Sequence, residues 1–118
     1  MADEKSIVKR NMKDMLFWAN IEYNKYTKTK HTPYLQQACE KLFNAVELYL
    51  SFISNYRFYS HNAPYDVIKE KTLLNLFDDA NKLHQFFYNA ENRMPAWRAS
   101  NIFKSVRRRI QYRIKKIK

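Results

Sequence analysis

The sequence contains no glycine and only three prolines among its 118 residues. Tight β-hairpin turns depend on glycine, or on Asn-Gly and Asp-Gly pairs, because these residues reach the backbone angles that such turns require. A β-sheet would therefore have few places to turn in this chain. Apolar residues instead recur every three or four positions, which is the spacing of one face of an α-helix. We predict an all-α protein.

Four helical segments follow from this spacing, joined by short connections that predict an antiparallel four-helix bundle. The polar run Thr27–His31 should end the first helix, and Thr32 followed by Pro33 is a typical helix start. The length suits one domain covering residues 1–118. The predicted helices lie at about residues 3–26, 33–54, 72–88 and 97–118.

The second predicted helix is apolar around much of its circumference. A helix of this kind is usually central in a bundle or is shared with a second copy of the protein. Its main apolar stripe consists of Leu35, Ala38, Cys39, Leu42, Ala45, Val46, Tyr49, Leu50 and Ile53. The narrower apolar face of the third helix consists of Leu73, Leu76, Phe77, Ala80, Leu83, His84 and Phe87.

Charge is concentrated at the C-terminal end of the chain. Residues 97–118 hold nine Lys or Arg residues and no Asp or Glu, so they contribute +9 of the formal net charge of +11. The same segment has an apolar face, formed by Phe103, Val106, Ile110, Ile114 and Ile117. At about 100° per residue, most of the basic side chains fall on the opposite side. One helix should present both a core face and a cationic face.

A cationic helix without acidic residues is suited to binding phosphates, and exposed aromatic rings beside it could stack on unpaired bases. We therefore predict a small binding module for RNA or a ribonucleoprotein. A solvated surface is the simplest alternative, but such surfaces usually mix charges of both signs. An anionic lipid surface is a further alternative, disfavoured because the bundle core needs the apolar face. The predicted nucleic-acid-binding residues are Arg98, Lys104, Arg107, Arg108, Arg109, Tyr112, Arg113, Lys115 and Lys116, with Trp97 as a further stacking residue.

Catalytic and cofactor chemistry has little support in the sequence. A chain without glycine has neither a P-loop nor a dinucleotide-binding fingerprint, and its three histidines lack metal-ligand spacing. We expect no metal and no cofactor. Weak catalytic candidates are Arg57 and His61, in one predicted loop, and His84, which is more simply explained as a partly buried histidine.

The location of the protein is predicted from three features. The single Cys39 excludes an intramolecular disulfide and suits a reducing cytoplasm. The N-terminus lacks the apolar segment of a signal peptide. No stretch approaches the roughly 18 apolar residues that a membrane span requires. We expect a cytoplasmic protein with no membrane span.

From about residue 30 onward, the chain resembles the HEPN superfamily of small helical bundles, and especially its archaeal paralogous-repeat branch. The resemblance rests on YLQQACEKLFNA at 34–45, SH at 60–61 and FDDANKLHQFFY at 77–88. It covers about three-quarters of the chain and implies an antiparallel four-helix unit, often paired into a dimer. Many HEPN proteins cleave RNA without a metal, and others accompany nucleotidyltransferases.

The HEPN nucleases share an Arg, then four to six residues, then a His. Here only three residues separate Arg57 from His61, and no histidine follows Arg93 or Arg98. We therefore expect binding without catalysis. The alternatives are a HEPN-type ribonuclease of a toxin or RNA-processing system, and a protein-interaction subunit of a toxin–antitoxin-like or nucleotidyltransferase pair. A homodimer and a protein partner are both compatible with the sequence.

Overall fold

The computed structural model describes residues 4–54, 68–88 and 94–117, with side chains from Ser6 onward. These residues form four helices and no strand, which confirms the prediction of an all-α protein. None of the helices in these three ranges combines the length and apolar content that crossing a bilayer requires. The helices are α1 (Glu4–Thr29), α2 (Thr32–Ser54), α3 (Lys71–Tyr88) and α4 (Ala96–Lys115).

The junction between α1 and α2 differs slightly from the prediction. The polar run does not end α1 at Tyr26, because the helix continues to Thr29. Lys30 then adopts a left-handed conformation with φ of 61°, and its N–H donates to the Tyr26 carbonyl at 2.7 Å. A left-handed residue here closes a helix end, a position that glycine usually occupies. Helix α2 begins at Thr32, so its first residue lies one position before the proline predicted to start it.

Helix α2 is the central helix of the described structure, as its broad apolar surface predicted. It packs against each of the other three helices. Eight of the nine stripe residues are buried, and Phe43 is buried as well. Ile53 is the exception, since it lies near the end of α2 and is exposed.

Helices α3 and α4 contribute the opposite side of the same core. In α3, five of the predicted face residues are buried, but Phe86 is buried in place of Phe87, which is only partly covered. In α4, Phe103, Val106, Ile110 and Ile114 are buried as predicted, whereas Ile117 lies past the end of the helix at Lys115 and is only partly covered. All four helices share one continuous hydrophobic cluster. The face of α4 opposite the core is therefore turned towards solvent.

Candidate nucleic-acid interface

A line of exposed side chains runs along α4 on the side away from the core. We call it the outward stripe. Its residues are spaced three, four or seven apart, so the helical period brings them onto one side. Trp97 and Tyr112 are 67% and 61% exposed, and they are about 22 Å apart along the axis at 1.5 Å per residue. The outward stripe consists of Trp97, Lys104, Arg108, Tyr112 and Lys115, with exposed Arg98 and Lys116 beside it.

The cations of the outward stripe are unpaired within the residues that the structure describes. In the part of the chain that the structure describes, no carboxylate forms an ion pair with Arg98, Lys104, Arg108 or Lys115. A surface that served only solubility would usually place acids among its bases. The charge of these side chains is therefore not neutralised by the described protein.

Lys116 lies beside Tyr112 at the C-terminal end of the stripe. Its ammonium Nζ is 4.5 Å from the centre of the tyrosine ring, a cation–π contact. Hydrogen bonding and charge from Lys116 lower the pKa of Tyr112 below its ordinary value. The contact keeps a positive charge next to an exposed aromatic ring, which is the combination that stacks on a base and contacts a phosphate.

Arg109 does not belong to the outward stripe, because it is held against α3. Its Nη2 donates to Asp79 Oδ2 at 2.6 Å and to Ser105 Oγ at 3.0 Å, and its Nε donates to the Ser105 carbonyl at 3.3 Å. Partial burial raises the pKa of Asp79, but hydrogen bonds and charge from Arg109 and Lys82 outweigh it and hold that pKa below its ordinary value. This arginine attaches α4 to α3.

Arg107 attaches α4 to α1 on the other side. Its Nη1 donates to Asn20 Oδ1 at 3.2 Å, and its guanidinium carbon lies 5.1 Å from the centre of the Tyr23 ring. The Tyr23 ring in turn stacks on Phe103, with centroids 4.3 Å apart, and its hydroxyl shares a 2.5 Å hydrogen bond with Ser100. The arginine and the two aromatic rings therefore form one contact between α1 and α4.

Arg113 makes the third contact of this kind, at the start of α3. Its Nη2 donates to Thr72 Oγ1 at 3.4 Å and lies 3.7 Å from Glu70 Oε1. Glu70 is largely exposed, so this contact is weaker than that of Arg109. The structure thus divides the predicted nucleic-acid-binding residues into two groups. The outward stripe and its neighbours face solvent, whereas Arg107, Arg109 and Arg113 contact α1 or α3.

His84 is a residue of α3 whose side chain contacts α2. Its Nδ1 is 2.8 Å from Glu40 Oε1, and both side chains are about 15% exposed or less. Its ring stacks on Phe43 at 4.4 Å and meets the Tyr88 ring edge-on at 4.7 Å. These contacts agree with a partly buried histidine that joins two helices.

The other catalytic candidates, Arg57 and His61, lie outside the described residues. Cys39 is buried, and burial, with a smaller contribution from Glu40, strongly raises the pKa of its thiol, so the reactive thiolate is disfavoured. The described residues contain no group of three or more His, Cys, Asp or Glu side chains placed to hold a metal ion. The arrangement with the clearest chemistry is therefore the cationic, aromatic side of α4.

Searches of protein-family models, curated proteins and solved structures found no match to this chain.

Proposed function

We propose that this protein binds single-stranded RNA along the outward stripe of α4. The observation that carries the proposal is the run of exposed cations, unpaired in the described structure, alongside two exposed aromatic rings. Lys104, Arg108 and Lys115 contact phosphates, and Trp97 and Tyr112 stack on bases. Because these contacts read the backbone and the faces of bases, binding is weakly dependent on sequence.

Exposed rings favour a single strand over a duplex. Bases in a duplex are already stacked on each other, and the major groove of A-form RNA is too deep and narrow for side chains to enter. A single strand can instead turn its bases towards Trp97 and Tyr112 while its phosphates follow the cations between them. We propose RNA and not DNA as the ligand because residues 34–88 resemble the HEPN superfamily, many of whose members act on RNA.

We also propose that the four helices form an antiparallel HEPN-type bundle. The two-residue connection between α1 and α2 supports this, because helices joined by so short a loop and packed together run in opposite directions. Function in this bundle is binding without catalysis. His84 supports that view, since its ring lies between helices and is bonded to Glu40.

The proposal is tested by fluorescence anisotropy with a labelled, unstructured RNA over a series of salt concentrations. If the five exposed cations each contact one phosphate, log affinity should fall with log salt at a slope of about 3.5, since each single-stranded contact contributes roughly 0.7. The stripe variant carries Lys104→Gln, Arg108→Gln and Lys115→Gln. Its slope should fall by about 2.

A matched control separates the stripe from net charge. The control variant carries Lys28→Gln, Lys69→Gln and Lys71→Gln, three exposed positions outside α4. Both variants lose three charges, from +11 to +8, so only the position of the charge differs between them. The control should bind nearly as the unmodified protein does. Equal weakening of both variants would refute a site on α4.

A second variant, with Trp97→Ala and Tyr112→Ala, tests stacking separately from charge. Stacking contributes about 1–3 kcal/mol per base, so affinity should fall at least tenfold while the salt slope stays the same. Duplex RNA of the same length should bind more weakly than the single strand and should not respond to this variant. The proposed contacts would be contradicted if this variant showed a smaller salt slope with unchanged affinity, or if the protein bound duplex RNA more tightly than the single strand.

A further inference from the structure

Helix α1 has an exposed face that the bundle does not use. Phe17 is 60% exposed and Trp18 is 47% exposed, and the two rings meet edge-on with centroids 5.7 Å apart. Ile7 is exposed two to three turns earlier on the same side. Large apolar side chains grouped on one side of a helix usually mark a contact with another molecule. This face is separate from the outward stripe, which lies on α4.

The charged residues of this face are arranged symmetrically. Arg10 and Asp14 are exposed and lie between Ile7 and Phe17, with successive spacings of three, four and three residues. These spacings place all four side chains on the side of α1 opposite buried Met12. The order is apolar, basic, acidic, apolar. Reversing the direction of the helix exchanges the two apolar ends and exchanges base with acid.

Two such faces fit each other when the helices are antiparallel and cross at the level of Met12. Ile7 of each copy then lies opposite Phe17 of the other, and Arg10 lies opposite Asp14. Trp18 lies opposite Ser6, a small exposed residue that leaves room for the indole. Lys13 lies at the edge of the face, where the lysines of the two copies are about 3 Å apart along the axis, so this pair of like charges opposes the contact. Self-complementarity of this kind is the defining property of a two-fold symmetric interface.

We propose that a second copy of this chain docks on the α1 face formed by Ile7, Arg10, Asp14, Phe17 and Trp18. Arg10 and Asp14 do not pair within the described structure, although they are one turn apart on the same helix. Both groups are therefore available to a second copy. Charge complementarity selects a copy of the chain as the occupant, because one partner must present a base and an acid in the reversed order.

The size of the face sets the strength of the dimer. Ile7 and Phe17 are about 15 Å apart along the axis, so each copy contributes about three turns of one helix. An interface of this size falls below the range of stable complexes and should be weak and reversible. The net charge of +11 on each copy also opposes association, but salt near 0.15 M screens charges more than about 8 Å apart.

The proposal is tested by sedimentation equilibrium of the full chain in about 0.15 M salt, at concentrations from about 5 to about 500 µM, which span a weak association. A monomer–dimer equilibrium is expected. Arg10→Glu alone should weaken the dimer about thirtyfold, because both symmetry-related pairs become repulsive. Asp14→Lys alone should do the same. Phe17→Ser should weaken it at least tenfold, through the loss of buried apolar area.

Two compensating experiments identify this geometry. The double variant Arg10→Asp with Asp14→Arg exchanges base and acid within each copy, and should restore the dimer to within about threefold. An equimolar mixture of the Arg10→Glu and Asp14→Lys proteins should form a heterodimer, although neither protein dimerises well alone. All these positions are exposed, so helix content and melting temperature should be nearly unchanged and serve as a check on folding.

Three results would overturn the proposal. A chain that remains monomeric at every concentration would leave this face to a different protein. A dimer insensitive to the single charge reversals and to Phe17→Ser would place the interface elsewhere. A dimer weakened by the single reversals but not restored by the double variant would show that the helices do not pair in this register. RNA binding through α4 is measured separately, so either proposal can fail without the other.

Discussion

Arg108 and Arg109 are adjacent in the sequence, but substitution by Gln should lower stability at Arg109 and RNA affinity at Arg108. Arg109→Gln removes an ion pair with Asp79 at 2.6 Å and two hydrogen bonds to Ser105. The Arg109 and Asp79 side chains are 31% and 32% exposed, so water weakens the pair, which contributes roughly 0.5–1 kcal/mol. The lost hydrogen bonds add roughly another 0.5–1 kcal/mol. We expect a loss of about 1.5 kcal/mol in the free energy of unfolding.

The expected change in melting temperature follows from the length of the chain. The entropy of unfolding is about 2.1 cal/mol/K per residue, or roughly 250 cal/mol/K here, so each kcal/mol shifts the midpoint by about 4 °C. Arg109→Gln should therefore lower the melting temperature by about 6 °C. Arg108→Gln should lower it by less than about 2 °C, as expected for an exposed position. Circular dichroism at 222 nm measures both melting temperatures. In fluorescence anisotropy, Arg108→Gln should lower the affinity for RNA more than Arg109→Gln does.

A double-mutant cycle with Asp79→Asn isolates the ion pair. The coupling between positions 79 and 109 should be about 0.5–1 kcal/mol, whereas positions 79 and 108 should show none. The pH dependence provides a further check. The pKa of Asp79 is lowered in the folded state from its ordinary value of 3.8, so the ionised pair stabilises the fold above that pH. This contribution is lost as the pH falls through the lower folded pKa. Equal melting temperatures for the two variants at pH 7 would refute the assignment of Arg109 to the α3 contact.

The remaining predictions concern the helix contacts. Lys30→Gly should stabilise the protein by about 0.5 kcal/mol, because glycine adopts the left-handed angles of this position without strain; a lower urea midpoint would contradict this. His84→Ala should lower the free energy of unfolding in urea by about 2–3 kcal/mol, because the largely buried Glu40 carboxylate loses its 2.8 Å contact and Phe43 loses a stacked ring. The affinity for RNA should not change. A change would indicate that His84 has a role in the RNA site.

The helices could be predicted from sequence because their signals are local. The absence of glycine and the periodicity of apolar residues depend only on neighbours along the chain, and they located all four described helices to within about three residues. The structure departs from the prediction at the end of α1 and within α3. The polar residues after Tyr26 are compatible with a helix, and α1 continues until Lys30 turns left-handed. In α3, Phe86 and Phe87 lie three and four residues after Leu83, so helical spacing allows either to face the core. Packing against the other helices buries Phe86.

The division of the basic residues could not be predicted from sequence in the same way. Periodicity gives each side chain an angle on α4, and those angles placed Lys104, Arg108, Lys115 and Lys116 on the exposed side but placed Arg109 there with them. The partners of the other arginines lie far away in sequence, 30 residues from Arg109 to Asp79 and 87 from Arg107 to Asn20. No local pattern connects them. Arginines near the edge of a cationic face are therefore ambiguous until the neighbouring helices are in place.

The two kinds of basic position also differ in which substitutions they should accept as the sequence drifts. At Lys104, Arg108 and Lys115 the side chain supplies a charge at the end of a flexible stem, so lysine and arginine should replace each other freely. Arg109 uses Nε and Nη2 together, and Arg107 presents a flat guanidinium to an aromatic ring. Lysine has neither the paired N–H donors nor the planar group of a guanidinium, so it should not be accepted at these two positions. Among diverged relatives, an arginine retained beside freely exchanged lysines would identify the residues that hold α4 in place.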